Sequence, residues 1–426
     1  MSPRLSDLAT PEAPTPGTRV VIDLRPLQEP ERTPITAAYL DRLLRAFAAE
    51  PLAGESFVAL LRTLRADPAD GLESLGLPVA GRRRVPPTSR VFRSAGLTLD
   101  AFLLRGAEVG TAWGTAESGA AGVVFHTAGG AVPLGSRLPV VATVLDLAPW
   151  ELPEVYARSG AARFGHRLRA RILHDARKVI VCSEATAASA RRRLHLRPDQ
   201  LSVVPLAADP EFALGAGEQP AVAALRARLA LPARYVVFCG RYDARKDVAT
   251  LLRALAGLRT EQGSGPGWPP HLVLARDPSG EGEEPGLLRS VEQHGVADLV
   301  HLPSQLSSEE LATLLAGARG FVYPARSEGT GLRVIEALAC GTPVIASRTG
   351  PLPEIVGRAG IIVEPGDAAR LAAALRALWE GPIREQLVRA ARRAARGPRR
   401  TWSDVARETR RVYAAAADGP GSLPSH

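Results

Sequence analysis

Residues 320–347 read G-F-V-Y-P-A-R-S-E-G-T-G-L-R-V-I-E-A-L-A-C-G-T-P-V-I-A-S. The apolar run 320–324 reads as a buried strand, and 343–347 reads as a second. Between them, residues 331–340 carry apolar side chains at helical spacing. Strand, helix and strand in so short a stretch make one repeat of a parallel sheet covered by helices. The connecting loop is unusual. Gly329 and Gly331 flank Thr330 where the helix begins, so backbone N–H groups and the helix dipole can face an anion there. Glu328 lies in the loop and Glu336 about one and a half turns into the helix. Carboxylates so placed suit adjacent hydroxyl groups, and each charge-assisted hydrogen bond is worth about 1.5–3 kcal/mol.

Working outward, the same alternation fills the second half of the chain. Strands are expected at 235–239, 271–275, 299–302 and 360–363, with helices at 247–258, 285–295, 308–317, 351–356 and 367–380. Ser307 followed by Glu310 is a capping box for the 308–317 helix. Two more helices, near 383–396 and 402–416, close the pattern. The first half repeats it less cleanly. Apolar runs at 20–24, 57–61, 122–126, 139–145 and 178–182 have the length of buried strands, and 37–49, 160–177 and 184–194 have helical spacing. Residues 65–120 hold many Gly, Pro and Arg with no firm period. The G-S-G-P-G run at 263–267 follows no strand and reads as linker rather than as a phosphate loop.

Totals narrow the classes. A chain of 426 residues with 46% apolar and 23% charged content suits two globular domains. The net charge is +9, yet only 5% of residues are aromatic, and no basic–aromatic interleaving offers a stacking platform for nucleic acid. Cys182, Cys239 and Cys340 sit singly in apolar segments, so they read as buried thiols rather than metal ligands or disulfides. No run approaches the length of a membrane span, and the Pro-rich start has no apolar leader core. The reading is a cytoplasmic protein. The Arg-rich helix around 163–178 spaces Phe164, Leu168 and Ile172 by four, which fits either a surface helix on the sheet or contact with an anionic bilayer.

Ligands of open parallel sheets bind beyond the carboxyl ends of the strands. After Cys239 the chain reads G-R-Y-D-A-R-K-D-V: Gly240 permits close backbone approach, and Arg241 and Lys246 place two cations before a helix. Guanidinium and ammonium groups suit a diphosphate, although a solvated loop has the same composition. Gly350, Pro351 and Glu354 form the next turn and read as pocket wall.

The segment S-E-G-T-G-L-R-V-I-E-A-L-A-C-G-T-P-V-I-A-S, with Glu328 and Glu336 eight apart, resembles the signature of the retaining glycosyltransferases of family 4. G-R-Y-D-A-R-K-D-V, V-I-D-L-R-P-L, V-C-S-E-A-T and V-V-P-L-A-A-D-P-E-F are also similar to that family. The resemblance implies an α/β fold of two Rossmann-like domains facing a cleft (GT-B), with a C-terminal helix crossing back to the first domain. On that pattern residues 1–17 are a disordered tail, 18–212 the acceptor-side domain and 213–396 the nucleotide-sugar domain. Residues 397–416 are the crossing helix, and 417–426 a frayed tail.

The resemblance further implies a nucleotide-sugar donor, a glycan or lipid-linked acceptor, and no metal or other cofactor; no Asp-x-Asp pair is present. Arg241 and Lys246 would neutralise the diphosphate, Glu328 would meet sugar hydroxyls, Glu336 the ribose, and the backbone of Gly329, Thr330, Gly331 and Leu332 the phosphate and sugar. Asp146 and His126, at ends of first-half strands, are candidates for substrate contact, and a structural role fits each as well. Two departures stand out. The stretch after the first strand, Q-E-P-E-R-T-P-I-T, has no glycine, and Leu145-Asp146 stands where the family has His-Asp. The function so implied is transfer of a sugar to a hydroxyl with retention. The alternative is a degenerate relative that binds the nucleotide sugar without transferring it.

Overall fold

The computed structural model describes residues 17–85, 122–129, 132–133, 136–215, 219–260, 267–276 and 286–418. The expected tails, apart from their innermost residues, most of the G-S-G-P-G run and all of 86–120 lie outside the described residues.

Thirteen described strands make two sheets. The first holds β1 (Arg19–Asp23), β2 (Ser56–Arg62), β3 (Val79–Val85), β4 (Val123–Ala128), β5 (Val140–Val144), β6 (Lys178–Val181) and β7 (Leu201–Val203), in the order β3-β2-β1-β4-β5-β6-β7. The second holds β8 (Tyr235–Cys239), β9 (His271–Ala275), β10 (Val300–His301), β11 (Gly320–Tyr323), β12 (Val344–Ser347) and β13 (Gly360–Val363), in the order β10-β9-β8-β11-β12-β13. Neighbouring strands pair in parallel throughout. The interior strands are buried on both faces, which is why they read as unbroken apolar runs: every residue of β5, β8 and β11 is buried.

All six strands expected in the second half form. In the first half the sequence missed two, both at sheet edges. β3 reads V-A-G-R-R-R-V and leaves three arginines exposed, while β7 has only three half-buried residues. Neither has the continuous apolar run that marks the other strands, including β10 and β13 at the edges of the second sheet.

Strand order reverses between β1 and β4 and again between β8 and β11. In each sheet this opens a crevice between the carboxyl ends of the two diverging strands. In the second sheet, the turns leaving β8 and β11 are the basic loop and the Glu328 loop.

The helix Trp402–Ala417 leaves the second half and packs on Pro34–Ala49 and on β4, β5 and β6 of the first. Thr401 and Asp404 form its capping box. Arg410 Nε and Nη2 donate to the two oxygens of Glu55 at 2.8 and 2.7 Å, with both side chains buried. Tyr413 meets His126 there: its hydroxyl lies 2.8 Å from Nδ1, and Thr143 Oγ1 lies 2.9 Å from Nε2.

His126 is therefore a core residue rather than a substrate contact. It is 0% exposed, and burial pushes its pKa down to about 4, with Asp23 opposing only in part. The unfolded imidazole takes a proton near pH 6.5 and the folded one does not, so stability present at pH 7 is lost as pH falls from about 6.5 towards 4. Between pH 7 and pH 5 this residue alone is expected to remove about 2 kcal/mol. Urea midpoints of wild type and His126→Gln across that range check it; parallel pH profiles would refute it.

The Arg-rich helix, Gly160–Leu173, starts at Ser159, whose hydroxyl accepts from Ala162 N. Ile172 is buried and Leu168 packs on the core, so only Phe164, 62% exposed, faces outward, beside Arg163, Arg167 and Arg171. The evenly spaced apolar triplet is thus turned mainly towards the sheet. No described helix is long and apolar enough to cross a membrane.

Candidate functional site

Lys246 and Glu328 come from different turns and meet. Lys246 Nζ donates to Glu328 Oε2 at 2.5 Å, and the two side chains are only 5% and 7% exposed. Tyr323, the last residue of β11, completes the group. Its hydroxyl donates to Glu328 Oε2 at 2.8 Å and also contacts Lys246 Nζ, which lies 4.6 Å from the centre of its ring. The other carboxylate oxygen, Oε1, accepts from the N–H of Gly329, Thr330 and Gly331 at 3.1–3.2 Å and from the Thr330 hydroxyl at 3.2 Å. Gly331 sits at φ +65° as the helix N-cap, a backbone conformation open to glycine, and this turns the successive amides inward.

The electrostatics follow from this packing. Burial raises the pKa of Glu328, but Lys246, Arg245 and the amide of Gly331 outweigh it and hold the carboxyl well below its usual range. Lys246 is shifted down because burial outweighs the attraction of Glu328.

The amides of Gly329–Gly331, expected to face a ligand anion, are met here by the loop's own carboxylate. The N–H of Leu332 turns to Thr330 Oγ1 at 3.4 Å. Gly350 backs the loop so closely that a Cβ there would strike the Glu328 carbonyl.

The second cation beside Glu328 is Arg245, not Arg241. Arg241 is half-exposed at the rim, with Asp243 3.6 Å away. Arg245 is buried. Its Nη1 donates to Asp146 Oδ2 at 3.1 Å, and its Nε is enclosed without a partner. Burial disfavours the charge on Arg245, but Asp146 and Glu328 more than restore it. Sequence reasoning passed over Arg245 and Tyr323. No spacing rule marks them, since both act through neighbours brought in by other turns.

Glu336 is fully buried on the helix Leu332–Ala339. Arg333 Nη1 donates to its Oε2 at 2.7 Å, while Oε1 has no partner. Burial raises its pKa to about 6, against the pull of Arg333 and Arg42. It is separate from the Glu328 cluster and lies towards Arg42 and Asp209 of the first half, which pair with each other.

Two cavities flank these residues. One of about 610 Å³ opens at the carboxyl ends of β8, β9 and β10, lined by Tyr242, Arg276, Leu302 and Pro303 among others. A larger one, about 1020 Å³, lies between helix Pro34–Ala49, residues 206–211 and the start of Trp402–Ala417 on one side and Ile335, Leu338, Ala339 and Ile355 of the second half on the other. Neither Glu328 nor Lys246 lines either cavity. The Lys246–Glu328 pair sits at the switch point of the second sheet. No group of three or more potential metal ligands occurs among the described residues.

Fold and site together define a two-sheet α/β protein whose second half gathers buried cations and a carboxylate at two strand-end turns. The profile of "Glycosyl transferases group 1" matches residues 233–381, and that of "Glycosyltransferase Family 4" matches residues 80–212. The chain is 33% identical over 318 residues to D-inositol 3-phosphate glycosyltransferase from Nocardiopsis dassonvillei, covering 72% of this chain and 70% of that protein. It is 34% identical to MMP alpha-(1->4)-mannosyltransferase from Mycolicibacterium hassiacum, over 58% of this chain and 56% of the relative's length. Among solved structures, HepE from Anabaena in complex with UDP and glucose superposes with a TM-score of 0.64 at 16% identity, over 93% of this chain and 99% of that one. The chain belongs to the group 1 (family 4) glycosyltransferases and has their GT-B fold.

Proposed function

We propose that this protein moves a sugar from a nucleoside-diphosphate donor to a hydroxyl of a glycan or lipid-linked acceptor, with retention at the anomeric carbon and without a metal. One observation carries the reading: Lys246, Arg245, Tyr323 and Glu328 converge beyond β8 and β11, where the second sheet reverses its strand order. The names of the relatives, a mannosyltransferase and an inositol-phosphate glycosyltransferase, agree with a sugar donor and a polyol or sugar hydroxyl as acceptor.

The 610 Å³ cavity at the ends of β8, β9 and β10 takes the nucleotide base. Lys246, Arg245 and Arg241 then surround the diphosphate. Glu328 has to exchange part of its amide shell for sugar hydroxyls, and the unpartnered Oε1 of Glu336 is an acceptor for a ribose hydroxyl. As the bond from the anomeric carbon to the diphosphate oxygen breaks, charge collects on the leaving group beside fixed cations. The acceptor oxygen bonds to the same face, and its proton passes to the departing diphosphate oxygen. Holding both substrates in one cleft replaces a chance encounter by a fixed geometry.

A thermal-shift screen against GDP-, UDP-, ADP- and dTDP-sugars tests this. One nucleotide class at a hundred times its dissociation constant should add about 2.7 kcal/mol of stability. Stabilisation by none of them would sink the proposal.

A further inference from the structure

The loop that carries Glu328 is held from outside its own half of the chain. Arg326 Nη2 donates to Glu154 at 2.8 Å, Ser327 Oγ to Glu151 Oε2 at 2.6 Å, and Thr186 Oγ1 to the Gly329 carbonyl at 3.0 Å. The residues on both sides of Glu328 are thus bonded to the N-terminal half. Contact is also close: a Cβ on Gly329 would collide with the carbonyl of Leu145 and with Asp146. The same Asp146 holds Arg245, the neighbour of Lys246.

These contacts are unequal. The Arg326–Glu154 pair is exposed and worth little. Ser327 is 1% exposed, so its hydroxyl needs its partner. That partner is anchored in turn, because Glu151 Oε1 accepts from Ser189 Oγ at 2.8 Å on the helix Glu184–Leu194. One carboxylate therefore ties a helix of the first half to the residue directly before Glu328.

We propose that Glu151 is a positioning residue. Through Ser327 it sets the Glu328 loop when the two halves are closed on each other. The inference rests on the transferase reading for its kinetic consequence, but the clasp itself does not depend on that reading. A small misplacement of a group that fixes substrate is enough to lower turnover strongly.

The test uses the full chain with Glu151→Ala, Ser327→Ala, the double variant and Glu151→Gln, whose amide oxygen can still accept from Ser327. In Glu151→Ala, kcat is expected to fall about ten- to a hundred-fold. Donor KM and the affinities for UDP and GDP should stay within about twofold, because the cations that grip the diphosphate are untouched. The double variant should be no worse than the worse single one, since both remove one bond. Glu151→Gln should recover most of the loss. Unchanged kcat in Glu151→Ala, or losses that multiply in the double variant, would overturn the proposal. Should Glu151→Ala fail to fold, Ser327→Ala and Glu151→Gln carry the same comparison.

A second readout needs no turnover. Small-angle X-ray scattering of the ligand-free protein should give a larger radius of gyration for Glu151→Ala than for wild type. If wild type transfers no sugar, the functional reading alone fails, and an unchanged radius would still refute the clasp.

Discussion

Glu328→Ala is expected to lower kcat/KM by about 10²–10⁴-fold. Two charge-assisted hydrogen bonds to sugar hydroxyls, at about 1.5–3 kcal/mol each, account for that range. The substitution has a second effect that can be separated from the first. It leaves Lys246 buried with only the Tyr323 hydroxyl for a partner and empties the ring of amides at Gly329–Gly331. Removing one member of a buried ion pair costs about 3–5 kcal/mol of stability. That is a large share of the roughly 5–15 kcal/mol that a folded domain possesses. The variant should still fold at 25 °C, with a clearly lowered urea midpoint. Glu328→Gln keeps an amide oxygen in the nest but turns its NH2 to the Lys246 ammonium, so it should recover only the part of the stability due to the nest while transfer stays low. Initial rates with saturating acceptor, read beside denaturation curves, decide the matter. Full turnover in a folded Glu328→Ala protein would remove this carboxylate from the reaction.

Arg410→Ala should produce the largest loss of stability outside the site, about 3–5 kcal/mol. Its guanidinium makes a two-pronged pair with Glu55, reaches the Phe47 carbonyl at 3.3 Å and lies 4.8 Å from the Phe47 ring centre. Without it Glu55 is left as an unpaired buried anion, and the crossing helix loses its charged contact with the first half. Replacing both partners by apolar residues is a different case, because neither charge is then stranded. Arg410→Met with Glu55→Leu should recover most of the loss. Nucleotide affinity should change little in either variant, since the pair is far from the Glu328 loop in the chain and lies on the other sheet. A double variant as unstable as the single one would show that the pair does more than neutralise itself.

How legible the protein was depended on where each strand lies. Central strands such as β8 and β11 are covered on both faces, so their residues must be apolar and their positions can be read directly. β3 and β7, at the edges of the first sheet, have no such run. Loops at the carboxyl ends of β8 and β11 were legible because glycines, acids and bases cluster there without serving a core. The partners inside that cluster were less so. Arg241 and Arg245 are equally basic in sequence, yet one lies at the rim and the other is buried between Asp146 and Glu328. His126 ends the apolar run 122–126 and by sequence is open to a substrate, but it lies inside β4 with Tyr413 of the crossing helix against it.

By itself the sequence determined the alternation of strands and helices and the family signature around Glu328 and Glu336, because periodicity and loop composition are local properties. Only the tertiary structure decided which cation pairs with which acid, that Glu328 fills its own amide nest, and that Glu151 reaches Ser327 across the cleft. Those contacts join residues up to 176 positions apart. They depend on how two sheets and their connecting turns close on each other, and no short window of sequence contains that distance.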